Sequence, residues 1–415
     1  SQKQTPNEKG EEKMSDIKNL GVYKKRTERI RQYLAERDIK ALIVFDSLNT
    51  IYISGFQLDV DPVERPTATV IPLEAEPFII LNELSINHYR YGLEKNAHWI
   101  KDVIYYDEHP RLTKRRYYTR DFPRLLCESL EERGIFKGTI GVDSSFHKFK
   151  KWVSCYLPDV TVVVDTSKLL REMRVVKDEY ELGLMRKAAE LADYGLEKMK
   201  EAIEVGKSNL EIGHEAAYEI AKEAARRYPA DVSIEISAGF TGTGPEGAMP
   251  HGWRMPNGRK IQKGDTLLAV VGVRLNCYWV EDERTFIVGE PNEKHKRFFE
   301  VVTKAQETAI KMCVSGNRVS DIDAAALKVI EDAGLGDYVF HRTGHGIGLG
   351  AHEYWYDMAF NHRIMKAGMT TSVEPMLCVY GFGGFRHSDT VVIGEKEPEV
   401  LTKYSKELED LIIPA

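Results

Sequence analysis

Four short stretches carry the side chains with chemistry to offer: Pro250-His251-Gly252, Glu281-Asp282-Glu283-Arg284-Thr285, Gly344-His345-Gly346 with His352 a little further on, and Ser372-Val373-Glu374-Pro375-Met376. Carboxylates and imidazoles are the groups that hold a metal, clamp a cation or move a proton. His251 stands between a proline and a glycine, in a loop with no core to satisfy. An imidazole titrating near neutrality can take a proton from water and return one to a leaving nitrogen. His345 is flanked by glycines that permit close backbone approach. Glu283 lies in a run from Tyr278-Trp279-Val280 to Thr285-Phe286 that reads as a buried strand, where an unpaired carboxylate is costly. The stretch Gly239–Gly247 lacks a Gly-Lys-Ser/Thr ending and reads as a loop at a cleft rim rather than a phosphate cradle.

The elements that must position these groups follow from composition and periodicity. The chain has 415 residues, enough for two domains, with 42% hydrophobic and 29% charged residues and a net charge of −6. Acidic and basic residues are interspersed, which excludes nucleic acid and an anionic membrane surface as expected partners. No apolar run is long enough for a membrane helix. Residues 1–14 read as a flexible polar tail without the apolar core of a signal peptide, so the expected location is cytoplasmic. The five cysteines are scattered, form no CxxC pair, and read as reduced thiols.

Residues 15–170 alternate helix and strand signals, with strands predicted at Ala41–Phe45, Thr67–Pro72, Pro77–Leu81, Thr139–Val142 and Val160–Val164. From Lys177 the positions Leu182, Met185, Ala189, Ala192, Leu196 and Met199 predict a long amphipathic helix, which opens a second domain, 171–415. That domain contains an apparent internal repeat. Gly206, Glu211 and Ile212 recur at a constant offset as Gly316, Asp321 and Ile322, each set leading through a helix to a glycine turn and a strand. The expected fold is therefore α/β (α+β) in two domains, with a cleft between two related halves of the second.

The segments around His345 and Glu374 resemble those of the M24 family, the "pita-bread" enzymes. The resemblance covers most of residues 170–400, and residues 15–170 are similar to the N-terminal domain of creatinase and aminopeptidase P. In M24 peptidases five side chains help hold two metal ions. Aligned on Arg284-Thr285 and on Gly384-Phe385-Arg386-His387-Ser388-Asp389-Thr390, those positions are Val270, Glu281, His345, Glu374 and Ser388. Valine cannot ligate, a serine hydroxyl is a poor ligand, and Asp389 points to the opposite face of its strand.

The pattern is similar to metal-free, creatinase-type members, and that resemblance implies a metal-independent hydrolase. Its substrate would be a small zwitterion, a carboxylate-bearing amidine or guanidine of the creatine or ectoine kind, cleaved at a C–N bond with no cofactor. It implies His251 as acid–base, with Glu283 and Glu374 clamping the cationic group through charge-assisted hydrogen bonds. Glu281, His345, His352 and Tyr356 would complete the substrate pocket. Arg65 would bind the substrate carboxylate from the neighbouring subunit of a homodimer. Tyr356 departs from the pattern, standing where creatinase has a second arginine. The alternatives are a metal-dependent Xaa-Pro aminopeptidase, one ion held by Glu281, His345 and Glu374, and a non-catalytic binding module that keeps the fold.

Overall fold

The computed structural model describes residues 19–57, 64–107, 122–230, 232–251 and 257–415. The polar tail 1–14 and Gly252 lie outside them. The chain divides into two compact units, Ser1–Arg174 and Val175–Ala415.

In the first unit six strands form one sheet in the order β4-β3-β2-β1-β5-β6: β1 (Ile39–Val44), β2 (Ala68–Pro72), β3 (Phe78–Asn82), β4 (Asp102–Tyr106), β5 (Gly138–Val142) and β6 (Val160–Asp165). The β1–β5, β5–β6 and β3–β4 pairs are parallel and the pairs that β2 makes are antiparallel. The unbroken apolar runs follow from burial on both faces. In β3, Phe78 and Ile80 join one core with Leu126, Ile140 and Phe149, while Ile79 and Leu81 join another with Phe56 and Tyr89.

The second unit opens on the helix Glu179–Ala202, started by a reciprocal cap in which Asp178 and Glu181 each accept the other's backbone N–H. Its stripe of Leu182, Met185, Ala189, Ala192, Leu196 and Met199 is wholly buried. Two helices and then strands occur twice: Glu179–Ala202 and Asn209–Arg227 before β7 (Ile234–Thr243), β8 (Thr266–Leu275) and β9 (Tyr278–Val288), then Glu293–Lys311 and Val319–Asp332 before β10 (Thr370–Val373), β11 (Met376–Val379), β12 (Gly383–Arg386) and β13 (Ser388–Val392). The repeat holds in detail. Gly206 and Gly316 both turn with positive φ, +91° and +95°. Each donates its N–H to the second arm of its own half, to the Ile261 carbonyl at 2.9 Å and the Met365 carbonyl at 3.1 Å.

The sheet runs β10-β13-β9-β8-β7. Its register sets Val270, Glu283 and Ser388 abreast on β8, β9 and β13. The expectation of a loop over Gly239–Gly247 is corrected: residues to Thr243 pair with β8, and a short 3-10 helix, Gly244–Ala248, follows. The glycines serve close packing there, since a Cβ on Gly242 would meet the Gly247 backbone at 2.5 Å. No helix among the described residues is long and apolar enough to cross a membrane.

Candidate active site

Strand alternation sorts β9 into two faces. Asp282 and Arg284 point one way: Arg284, fully buried, lies 2.7 Å from Asp282 and 2.8 Å from Asp389 and donates to the carbonyls of Ser388 and Tyr404. Asp389 thus belongs to this structural cluster, where Lys406 also reaches it at 2.8 Å. Glu281 and Glu283 point the other way, into the site.

Glu374 follows the last residue of β10, and His345 is tied to that strand through backbone. The Ser372 N–H donates to the His345 carbonyl at 2.8 Å, and the Ser372 hydroxyl accepts from the His345 N–H at 3.1 Å. The flanking glycines make this approach possible, since a Cβ on Gly344 would collide with the Ser372 carbonyl. With Nδ1 at 3.0 Å from the Gly346 carbonyl, His345 aims Nε2 at Glu374 (3.3 Å) and Glu281 (3.6 Å). Donor atoms of Glu281, His345 and Glu374 all lie within 4.8 Å of one another. Ser388 does not complete this set as a donor but steadies it, donating to Glu281 at 3.2 Å.

Sequence reading did not single out Arg386, which closes the other side. Its guanidinium holds Glu283 through both Nε and Nη2 and comes within 3.8 Å of Glu374. Glu283 therefore has its cation from within the chain. The available signal was two unpaired glutamates on a buried strand, which require a buried positive partner. His341 and Arg342 were missed too. The His341 ring stands 5.7 Å from the exposed His251, and His341 and Arg342 line a cavity of about 270 Å³ walled also by Leu327, Ile330, Phe340 and Met376. His352 stacks on His345, ring centres 3.7 Å apart. Tyr356 is half exposed, and its carbonyl accepts from Arg342 at 2.9 Å. Trp355 is fully buried core. Arg65 belongs to the first unit, where it pairs with Glu64 at 2.7 Å.

Burial disfavours the His345 imidazolium, but Glu281 and Glu374 outweigh it and hold the ring up to about 9. Burial and the charge on His345 push His352 down to about 4, and burial does the same to His341. Burial raises Glu281, and raises Glu283 against the pull of Arg386. Glu374 is held low, since His345 and Arg386 overcome its burial.

The residues do not fit two metal ions: Val270 offers no donor, and Ser388 is spent on Glu281. They do fit one. Arg386 and Glu283 neutralise each other, leaving Glu281, Glu374 and a neutral His345, two negative charges and three donors suited to a single divalent cation. A proton on His345 competes with that cation. Since the metal-free ring is charged up to about pH 9, affinity for Mn²⁺ or Zn²⁺ should climb as pH rises from 6 to 9. Titration calorimetry at pH 7 in buffers of different ionisation enthalpy should show about one proton released per ion bound. No release would mean that His345 is not the ligand.

A two-domain α/β chain with a carboxylate–histidine cluster at the heart of a doubled second unit is the architecture of the pita-bread hydrolases. The pattern of metallopeptidase family M24 matches residues 183–395, and that of the creatinase/prolidase N-terminal domain matches 26–176. The chain belongs to metallopeptidase family M24. It is 30% identical to an uncharacterized peptidase of Staphylococcus epidermidis, over 91% of this chain and 98% of that one. To the Xaa-Pro dipeptidase of Lactobacillus delbrueckii subsp. lactis it is 28% identical, over 92% and 98%. The solved prolidase from Thermococcus sibiricus superposes with a TM-score of 0.77 at 28% identity, covering 95% of this chain and 99% of that one.

These relatives overturn the expectation of a metal-independent, creatinase-like hydrolase of amidines or guanidines. Loss of donors at Val270 and Ser388 suggested a metal-free cleft, yet the three remaining donors converge. The guanidinium that Glu283 was expected to clamp is also already present as Arg386.

Proposed function

We propose that this chain is a metal-dependent peptidase that hydrolyses short peptides of the Xaa-Pro dipeptide class, with one divalent cation held by Glu281, His345 and Glu374. The observation that carries this reading is the convergence of those three donors in a chain aligned nearly end to end with dipeptidases. A divalent cation in such a set acts as a Lewis acid toward a peptide carbonyl. His251, exposed at the turn after Pro250, delivers the proton that the leaving amine requires. The Arg386 guanidinium, oriented by Glu283, stands 3.8 Å from Glu374 and joins His345 in holding that carboxylate ionised. The adjoining cavity offers apolar walls to a substrate side chain.

The test is to strip the protein with a chelator, dialyse it against Mn²⁺, Co²⁺ or Zn²⁺, and measure bound metal and turnover of Xaa-Pro dipeptides. One ion per chain with metal-restored hydrolysis is expected. Chelator-resistant activity, or no metal uptake with no dipeptide turnover, rules the reading out. His251→Ala should reduce turnover by about 10²-fold while metal content stays at one ion per chain.

A further inference from the structure

We propose that the buried Lys177–Glu353 ion pair positions the metal site: it sets His352 against His345 and so fixes the direction of the nitrogen donor. The assignment rests on the one-metal reading above. Neither side chain belongs to the donor set, so both act through the two histidines.

The pair sits inside the loop that joins those histidines. Lys177 Nζ donates to Glu353 Oε2 at 2.9 Å, with side chains only 2% and 5% exposed. The other carboxylate oxygen, Oε1, accepts from the Gly350 N–H at 3.2 Å. The loop closes tightly on these charges. A Cβ on Gly348 would stand 2.6 Å from Lys177 Cε and 2.7 Å from Glu353 Oε2. The cation comes from fixed ground: the Lys177 N–H donates to the Gly368 carbonyl at 2.8 Å, and Asp178, the next residue, caps the helix Glu179–Ala202.

From this pair the backbone reaches both rings within one residue. The Glu353 N–H donates to the Gly346 carbonyl at 2.7 Å, and the Gly346 N–H donates to the Trp355 carbonyl at 3.0 Å. Gly346 follows His345 and Glu353 follows His352, so this stitch brings the imidazoles together with centres 3.7 Å apart. His352 is exposed, so enclosure alone does not hold its ring in the stack and the anchored backbone must. The stacked ring in turn restricts rotation of the His345 imidazole, which decides how Nε2 meets Glu281 and Glu374. For stability alone an apolar pair of similar volume often serves as well as a buried ion pair. An apolar pair lacks direction, whereas Glu353 is held between an ammonium and a backbone N–H of its own loop.

The experiment compares wild type, Glu353→Gln and the double variant Lys177→Met/Glu353→Leu. Calorimetry gives the affinity for Mn²⁺ and Co²⁺, visible absorption of the Co²⁺-loaded protein reports ligand geometry, and urea denaturation of the metal-free proteins reports stability. Both variants should bind metal about 10- to 100-fold more weakly, the range for partners that orient a ligand, and both should shift the Co²⁺ absorption. The double variant leaves no unpaired charge, so its urea midpoint should stay near that of wild type while its affinity stays low. Wild-type affinity and absorption in the double variant, or in Glu353→Gln whatever its stability, overturn the assignment alone. A wild-type protein that takes up no metal ion overturns the one-metal reading and this assignment together.

Discussion

Arg284→Ala should destabilise the second unit by about 3–5 kcal/mol, the cost of removing one partner from a buried ion cluster. Arg284 has no exposed surface and is the cation for Asp282 at 2.7 Å and Asp389 at 2.8 Å. Without it Asp389 keeps Lys406, but among the ion pairs described Asp282 keeps none. Burial already drives the Asp282 carboxyl well above its ordinary range, and loss of the guanidinium would drive it further. Carbonyls of Ser388 and Tyr404 lose their donor as well. Urea denaturation followed by circular dichroism, with unchanged slope and a lowered midpoint, is the measurement. Lys406 is partly exposed on the rim, so Lys406→Ala should cost clearly less. A loss below about 1 kcal/mol for Arg284→Ala would show that water or rearranged side chains satisfy the cluster.

His345→Ala should abolish stoichiometric metal binding, weakening affinity by well over about 10²-fold, since loss of mere outer-shell partners already costs 10- to 100-fold. His345 is the one nitrogen donor of the set and stands between its two carboxylates. Removing it leaves Glu281 and Glu374 facing each other with no group between them, so the metal-free variant should also lose stability. The sign follows from the raised pKa of the ring. Imidazolium stabilisation is fully present below the unfolded value near 6.5 and disappears as pH rises towards about 9, so wild type and variant should differ most at pH 6 and converge by pH 9. Metal analysis and thermal melts across that range test both statements. Retention of one ion per chain by His345→Ala would move the metal site elsewhere.

Much of the architecture was legible in the linear pattern. Helical periodicity located the helix Glu179–Ala202, and apolar runs located β1 to β3, β5 and β6, because burial on one stripe or on both faces leaves a direct composition signal. The recurrence of Gly206 as Gly316 exposed the doubled second unit, since both positions need positive φ. Gly239–Gly247 was misread because glycine marks loops and close-packed strands alike, and only pairing with β8 separates the two.

What the sequence alone determined is local or positional: the order of elements, the family, and the replacement of two family donor positions by Val270 and Ser388. Whether the surviving donors form a site was a question of three dimensions. Glu281, His345 and Glu374 come from segments far apart in the chain, and strand register with side-chain direction brings their atoms within 4.8 Å. The same register puts Glu283 within reach of Arg386, turning a glutamate that looked free to clamp a substrate into half of an internal ion pair. A count of missing ligands points to a metal-free enzyme, whereas the packed geometry leaves one compact donor set among the described residues. The physical reason is that a charge buried in a protein takes its partner from whatever the fold places beside it, and sequence spacing carries no record of that neighbour.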